Sequence, residues 1–436
     1  MKKSKEKTTH NINVKEVNQL REENKRLQVL LHLAENLQAH LELDKLLFYT
    51  MEEVARILQA DRCTVFILDE DKNELWSIVA MGIEKGKEIR FPAEKGIAGY
   101  VATTGEILNI SDAYKDHRFN PEIDKKTGYH TRNMLTMPLK NREGLIIGVF
   151  QVLNKKEGVF LKSDEELLGA ISQITATTVE NSLLYEEQVE SLNSFVETLS
   201  ATLDTRDYIT AGHSRRVTLY TLAICHQLQM EENCCEELRF AGLLHDIGKL
   251  CIPESVLFKA GKLTDTEFIQ IKRHPAVTRE ILSSIHFPRN LKNVPEIAST
   301  HHEKINGKGY PDGLKFQEIP LGGRILAIAD VFDALTSRRQ YRDREPVEKV
   351  WAVLEQEKGE SFDPEIIAIF RKVPLNKIVE ILEYDQRDRL DQQELSQLAD
   401  VKFDKIIKMK NNKENILTKE EKKIEKIFDK YYQREY

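Results

Sequence analysis

Cysteine is scarce in this chain. Five cysteines are spread over 436 residues, at Cys63, Cys225, Cys234, Cys235 and Cys251. None form a C-x-x-C pair, and vicinal Cys234-Cys235 is a poor disulfide, so a reducing cytoplasmic location is expected. Net positive charge is also lacking. The formal charge is −7, which leaves no global basic field for duplex nucleic acid. No apolar run reaches membrane-spanning length, so no membrane insertion is expected. The start, Met1-Lys2-Lys3-Ser4-Lys5, is like a signal n-region, but polar Thr8-Thr9-His10-Asn11 follow where an apolar core should be. Glycine and proline are missing between Gly169 and Gly212, which excludes a flexible linker there and favours one continuous helix.

What is present belongs to a soluble chain of two or three domains, with 41% hydrophobic and 31% charged residues. Val17, Leu20, Asn24, Leu27, Leu31 and Ala34 alternate by three and four, the pattern of a coiled-coil seam. Asn24 in that seam favours an in-register pair, hence a homodimer; a single amphipathic helix is the alternative. From about Leu41 to Glu187 the texture is α/β. Runs at Thr64–Leu68, Leu75–Ala80, Leu135–Leu139 and Leu145–Leu153 read as strands. A long helix starts near Ser163, and Val189, Leu192, Val196, Leu199 and Leu203 form a second seam along it. From Tyr208 to about Phe370 the pattern is helical, and beyond Tyr384 the chain is polar and lysine-rich. Asp385–Glu394 lacks the glycine and oxygen donors of a calcium loop.

Seven imidazoles and carboxylates carry the strongest chemical signal: His213, His245, Asp246, His274, His301, His302 and Asp330. A lone histidine is more often structural, but dipeptides of His-Asp and His-His in one stretch suit a pair of divalent first-row metals. Paired metals hydrolyse phosphate esters. Lys249 lies one helical turn after His245 and could offset phosphate charge.

These residues sit in motifs that resemble the HD-GYP family. His245-Asp246-Ile247-Gly248-Lys249, Lys272-Arg273-His274-Pro275, His301-His302-Glu303, Gly307-x-Gly309-Tyr310-Pro311 and Ala329-Asp330-Val331-Phe332-Asp333 carry the likeness, over roughly residues 190–372. The resemblance implies an all-helical domain of the HD superfamily. It implies a phosphodiesterase that opens cyclic di-GMP to pGpG and/or GMP, with cyclic GMP-AMP as a substrate of some members. It further implies that the seven residues named above are metal ligands, with Asp246 and Lys249 catalytic. The two divalent ions would be Fe or Mn, with Zn, Mg or Ni as alternatives. Lys249, Gly309, Tyr310, Pro311, Arg324, Arg338 and Arg342 become substrate-binding candidates, with surface ion pairing as the alternative for the arginines. Members holding a third metal have Glu where this chain has Ile209, and Ile305-Asn306 stands where Trp-Asp is usual. Alternatives are therefore a domain that binds cyclic di-GMP with weak turnover, or a hydrolase of another nucleotide.

Residues 28–187 resemble a GAF domain, a small-molecule sensor built on an antiparallel sheet. Asn154, Lys155, Phe160, Asp164 and Glu165 match the signature of GAF domains that bind cyclic nucleotides. Lys155 can pair with Asp164 and latch a strand end to a helix start. The plainer reading is that the two acids favour the first turn of a helix. Tyr100, His130 and Arg132 are further candidates for the ligand pocket. The expected architecture is therefore multidomain: an α/β GAF sensor joined by a long coiled-coil helix to an all-α HD-GYP domain. Its parts are an N-terminal coiled-coil helix (1–35), the sensor (28–187), a connector helix (183–206), the helical domain (190–384) and a polar, lysine-rich helical tail (385–436). The partners expected are a cyclic dinucleotide, a cyclic nucleotide or other small ligand at the sensor, and a second copy.

Overall fold

The computed structural model describes residue 28 and residues 43–77, 89–206, 212–259, 261–337, 344–411 and 417–433. The N-terminal seam from Val17 to Ala34, and also Ile209, Arg338 and Arg342, lie outside these. The chain divides into two compact units, residues 1–190 and 191–436.

The first unit begins with α1 (Leu43–Ile57) and β1 (Ala60–Asp69), β2 (Glu74–Ser77) and β3 (Ile89–Pro92). It continues through α2 (Gly96–Thr104), β4 (Leu108–Ile110), α3 (Glu122–Thr127), β5 (Met134–Lys140) and β6 (Ile146–Lys155). The strands form one antiparallel sheet of order β3-β2-β1-β6-β5-β4. Alternation along β1 sorts its side chains to two faces. Cys63, Val65 and Ile67 join Leu135, Met137, Phe150 and Val152 beneath α1 and the start of α4 (Lys162–Arg206). Phe66 and Val149 face the other way, against Ala98 and Val101 of α2.

The second unit is helical. Its elements are α5 (His213–Gln227), α6 (Glu232–Leu244), α7 (Glu254–Leu257), α8 (Asp265–Lys272), α9 (His274–Ser283), α10 (Val294–Ser299) and α11 (Leu321–Thr336). Then come α12 (Val347–Gln356), α13 (Pro364–Phe370), α14 (Leu375–Leu382), α15 (Gln392–Leu398), α16 (Phe403–Asn411) and α17 (Lys419–Tyr432). Its core holds a net of edge-on and tilted rings, with Phe332, Phe370 and Phe403 meeting at centroid distances of 4.9 to 5.8 Å. No described helix is long and apolar enough to cross a membrane.

Two expectations meet a different physical use. The seam on α4 is largely occupied by the chain itself: Val196 is buried in the helical core, and Leu192, Leu199 and Leu203 pack against that core. Period-3.5 spacing marks an apolar stripe without naming what covers it. The polar tail is equally part of the core. Ile424, Ile427, Phe428 and Tyr431 recur at helical spacing and are buried, while Arg344 bonds to the carbonyls of Leu382, Tyr431 and Tyr432. Average polarity concealed that amphipathic stripe. Phe428→Ala should therefore destabilise the helical unit by about 3–5 kcal/mol in denaturant unfolding. A loss under about 1 kcal/mol, the size of a surface change, would place the last helix outside the core.

Candidate metal centre and sensor cavity

Helix ends bring the candidate ligands together. His213 opens α5, His245 and Asp246 follow the last turn of α6, and His274 opens α9. His301 and His302 follow α10, and Asp330 lies within α11. His274, His301 and His302 offer ligand atoms within 4.8 Å of one another, as do His213, His245 and Asp330, and also His245, Asp246 and His301. Asp246 stands among them: Oδ1 is 3.3 Å from His274 Nε2, and Oδ2 is 3.3 Å from His245 Nε2 and 3.9 Å from His213 Nε2. Asp330 Oδ1 is 3.1 Å from His213 Nε2. All seven predicted ligands are thus in one cluster.

The inward direction of the imidazoles has a local cause. His245, His274 and His301 each give Nδ1–H to the carbonyl three residues earlier, at Gly242, Ile271 and Ala298, over 2.7 to 2.8 Å. His213 Nδ1 bonds instead to Asp333 Oδ2 at 2.8 Å. A ring whose Nδ1 donates keeps the lone pair of Nε2 for a cation. His245 Nε2 is buried with no hydrogen-bond partner, a costly state that a metal ion would relieve. The donor set of imidazoles and carboxylates fits a divalent metal.

Charge follows the same geometry. Burial, helped by neighbouring imidazoles, lowers the pKa of His274 to about 4 and that of His301 well below the usual range. Burial also lowers that of His302. These rings are neutral and ready to coordinate. His213 behaves oppositely: burial disfavours its charge, but Asp330 and Asp333 outweigh it and raise the pKa to about 9. Burial likewise opposes the charge of Asp246, yet Lys249 and the imidazoles hold it well below the usual carboxylate range. Lys249 Nζ lies 2.6 Å from Asp246 Oδ2.

The substrate-binding candidates divide. Tyr310 lies with its ring centroid 4.8 Å from that of His302. Gly309 is obligatory, since a Cβ there would come within 2.6 Å of the backbone of Glu303 and Lys304. Pro311 follows Tyr310 in the loop that this glycine lets approach. Arg324 is committed to Asp363 at 2.6 Å, with its guanidinium 4.6 Å from the Phe316 ring centroid. Arg324 thus spends its charge on a nearly buried carboxylate, not on a surface pair. Asn306, in the place of an acid, works in the loop itself: its side chain bonds to Glu360 and to Lys308 N.

Sequence reasoning missed three supporting groups. Asp333 is fully buried, pairs with Arg216 at 2.8 Å and orients His213. Its spacing of three from Asp330 puts both on one face of α11 and could have revealed it. Burial opposes its ionisation, but Arg216 and His213 lower its pKa to about 2. Glu303 is buried and accepts from the N–H groups of Asp312, Gly313 and Leu314 at 2.7 to 3.1 Å, tying the Gly-Tyr-Pro loop to the His-His segment. Asp204 accepts from Gly212 N and Ser214 Oγ, on either side of His213.

In the first unit the five-residue signature closes as a latch. Lys155 Nζ pairs with Asp164 Oδ2, which also accepts from Leu161 N at 2.7 Å. Lys155 lies 5.7 Å from the Phe160 ring centroid, and Asn109 joins Phe160 O to Glu165. Asn154 adopts a φ of 57° and ties the backbones of His130 and Arg132. A cavity of about 410 Å³ in this unit is lined among others by Arg62, Phe66, Phe91, Lys95, Thr131 and Leu153. None of the five signature residues lines it, nor do Tyr100, His130 or Arg132. The latch braces the fold because Lys155 and Asp164 spend their charges on each other.

Known proteins agree with this division. The HD domain family matches residues 197–366 and the GAF domain family residues 42–179. A cyclic di-GMP phosphodiesterase of Thermotoga maritima is 40% identical over 189 residues, 43% of this chain and 51% of that protein. A 3'3'-cGAMP-specific phosphodiesterase of Vibrio cholerae is 39% identical over 181 residues, 42% of this chain and 39% of its own length. The cyclic di-GMP phosphodiesterase response regulator RpfG of Xanthomonas campestris is 33% identical over 240 residues, covering 54% and 60%. The chain thus spans about half the length of the curated relatives it matches.

Asp333→Asn should weaken divalent-metal affinity by roughly 10–100-fold in a competition titration, since it disturbs the group that orients a ligand. An affinity equal to wild type would reduce Asp333 to a packing residue. In the first unit, Lys155→Ala should cost about 1–3 kcal/mol of stability by leaving a largely buried carboxylate without its partner. Calorimetry that finds no change would refute the latch.

Proposed function

We propose that the helical unit, which the HD domain family matches over residues 197–366 and which follows a GAF domain at residues 42–179, is a metal-dependent phosphodiesterase of the HD-GYP type hydrolysing cyclic di-GMP to pGpG and/or GMP. The observation that carries this reading is the convergence of buried Nε2 atoms and carboxylates around Asp246, with a lysine ammonium beside them. His213, His245, Asp246, His274, His301, His302 and Asp330 would hold two divalent ions, Fe or Mn before Zn, Mg or Ni. When bound, such a pair supplies Lewis acidity and makes water nucleophilic at neutral pH.

The chain's own groups divide the remaining work. Asp246 presents one oxygen towards His274 and the other towards His245, and would help to hold both ions. Lys249 would offset charge: its ammonium lies against Asp246 in the free protein and would share the charge of a scissile phosphate. Tyr310, backed by His302, offers an aromatic face to a base. Arg338 and Arg342 remain candidates for phosphate contacts, whereas Arg324 serves Asp363.

The similarity to a relative specific for 3'3'-cGAMP, 39% against 40% for a cyclic di-GMP enzyme, favours the mixed dinucleotide as a second reading. The GAF domain would take a small ligand, with a cyclic nucleotide as one form, and its cavity rather than its latch is the place for it. A second copy of the chain would pair along the N-terminal seam and along α4, where Leu184, Tyr185 and Phe195 are exposed.

Protein loaded anaerobically with Mn²⁺ or Fe²⁺ should linearise cyclic di-GMP, followed by chromatography of pGpG and GMP. Chelation should abolish turnover, and Lys249→Ala should lower kcat by about 100–1000-fold. Binding of cyclic di-GMP without product would transfer the domain to a signalling role.

A further inference from the structure

We propose that Lys272, with Phe268 one turn before it, contacts the second phosphate and a base of the dinucleotide, and so sets a preference for a cyclic dinucleotide over a simple phosphodiester. This inference rests on the phosphodiesterase reading above.

Helix α8 is an unusual element. None of its residues is buried, and Phe268 and Ile269 are 47% and 60% exposed. It is held at its start by a capping box between Thr264 and Glu267, and by the ion pair of Glu267 with Lys259 at 2.6 Å. Its last residue, Lys272, lies two residues before His274. The Lys272 ammonium sits 4.8 Å from the Phe268 ring centroid and 5.3 Å from that of Tyr310. Tyr310 in turn lies against His302 at 4.8 Å. Two short steps through aromatic rings therefore join this cation to the metal-ligand cluster.

Three other cations near the cluster already have carboxylates. Lys249 pairs with Asp246, Arg279 with Asp312 and Arg324 with Asp363. Lys272 makes no ion pair with a carboxylate among the described residues, and aromatic faces alone hold its charge. A cation so placed suits an anionic group arriving with the substrate, and an ammonium takes phosphate as a point charge. Phe268 beside it is 47% exposed, as an aromatic that stacks on a base is. A cyclic dinucleotide carries both groups besides the phosphate being cut, whereas a simple diester has no second phosphate.

The test compares kcat/KM for cyclic di-GMP with kcat/KM for bis(p-nitrophenyl) phosphate, using the metal-loaded full chain. Lys272→Ala should lower the ratio of the two at least tenfold, mainly through KM for the dinucleotide, and Lys272→Arg should restore most of it. Phe268→Ala should raise that KM at least threefold. A ratio within twofold of wild type, or an equal loss on both substrates, overturns the role given to Lys272 while leaving the phosphodiesterase reading intact. A wild-type chain that cuts no cyclic dinucleotide overturns the parent reading, and this one with it.

Discussion

The hydrogen bond from imidazole Nδ1 to a protein acceptor is the constraint on which the helical unit turns. Three such bonds reach back to a carbonyl of the preceding turn, and the fourth reaches Asp333. The three backbone bonds fix tautomers that aim Nε2 lone pairs into one buried space, and the fourth orients the ring of His213. That arrangement opposes ordinary packing, because inward lone pairs and ionised carboxylates are costly away from water. It persists because helix ends, which have main-chain groups to spare, carry most of the ligands.

Around this centre the supporting bonds run outward. Asp333 joins His213 to Arg216, and Arg216 reaches Asp385 beyond the last turn of α14. Asp204, on the final turns of α4, grips the residues flanking His213. Glu303 holds the loop that carries Tyr310 through backbone N–H groups alone. Each is a buried or half-buried carboxylate with several partners, and such networks locate side chains more strictly than apolar contact does.

Much of this was legible in the order of residues, for a physical reason. His245-Asp246 and His301-His302 are adjacent, and metal chemistry leaves few other uses for such pairs near further histidines. Four of the six strands were legible as apolar runs rich in β-branched residues, as at Thr64–Leu68, whereas the short β3 and β4 were not. Less legible was anything defined by what lies opposite. The stripe of Leu192, Val196, Leu199 and Leu203 has the spacing of a paired coil, yet its own unit covers it. Phe428 and Tyr431 sit among lysines, and only helical phase reveals them as core. The signature around Lys155 and Asp164 marked a real bond but not a cavity, because an ion pair that satisfies itself leaves no charge for a ligand.

The claim that distant histidines and aspartates form one cage for cations can be measured directly by its contents. Elemental analysis of anaerobically purified protein should find close to two first-row divalent ions per chain, with His245→Ala losing at least one of them. A well-folded chain that retains no such ion, even after incubation with Mn²⁺ and Fe²⁺, would contradict the account.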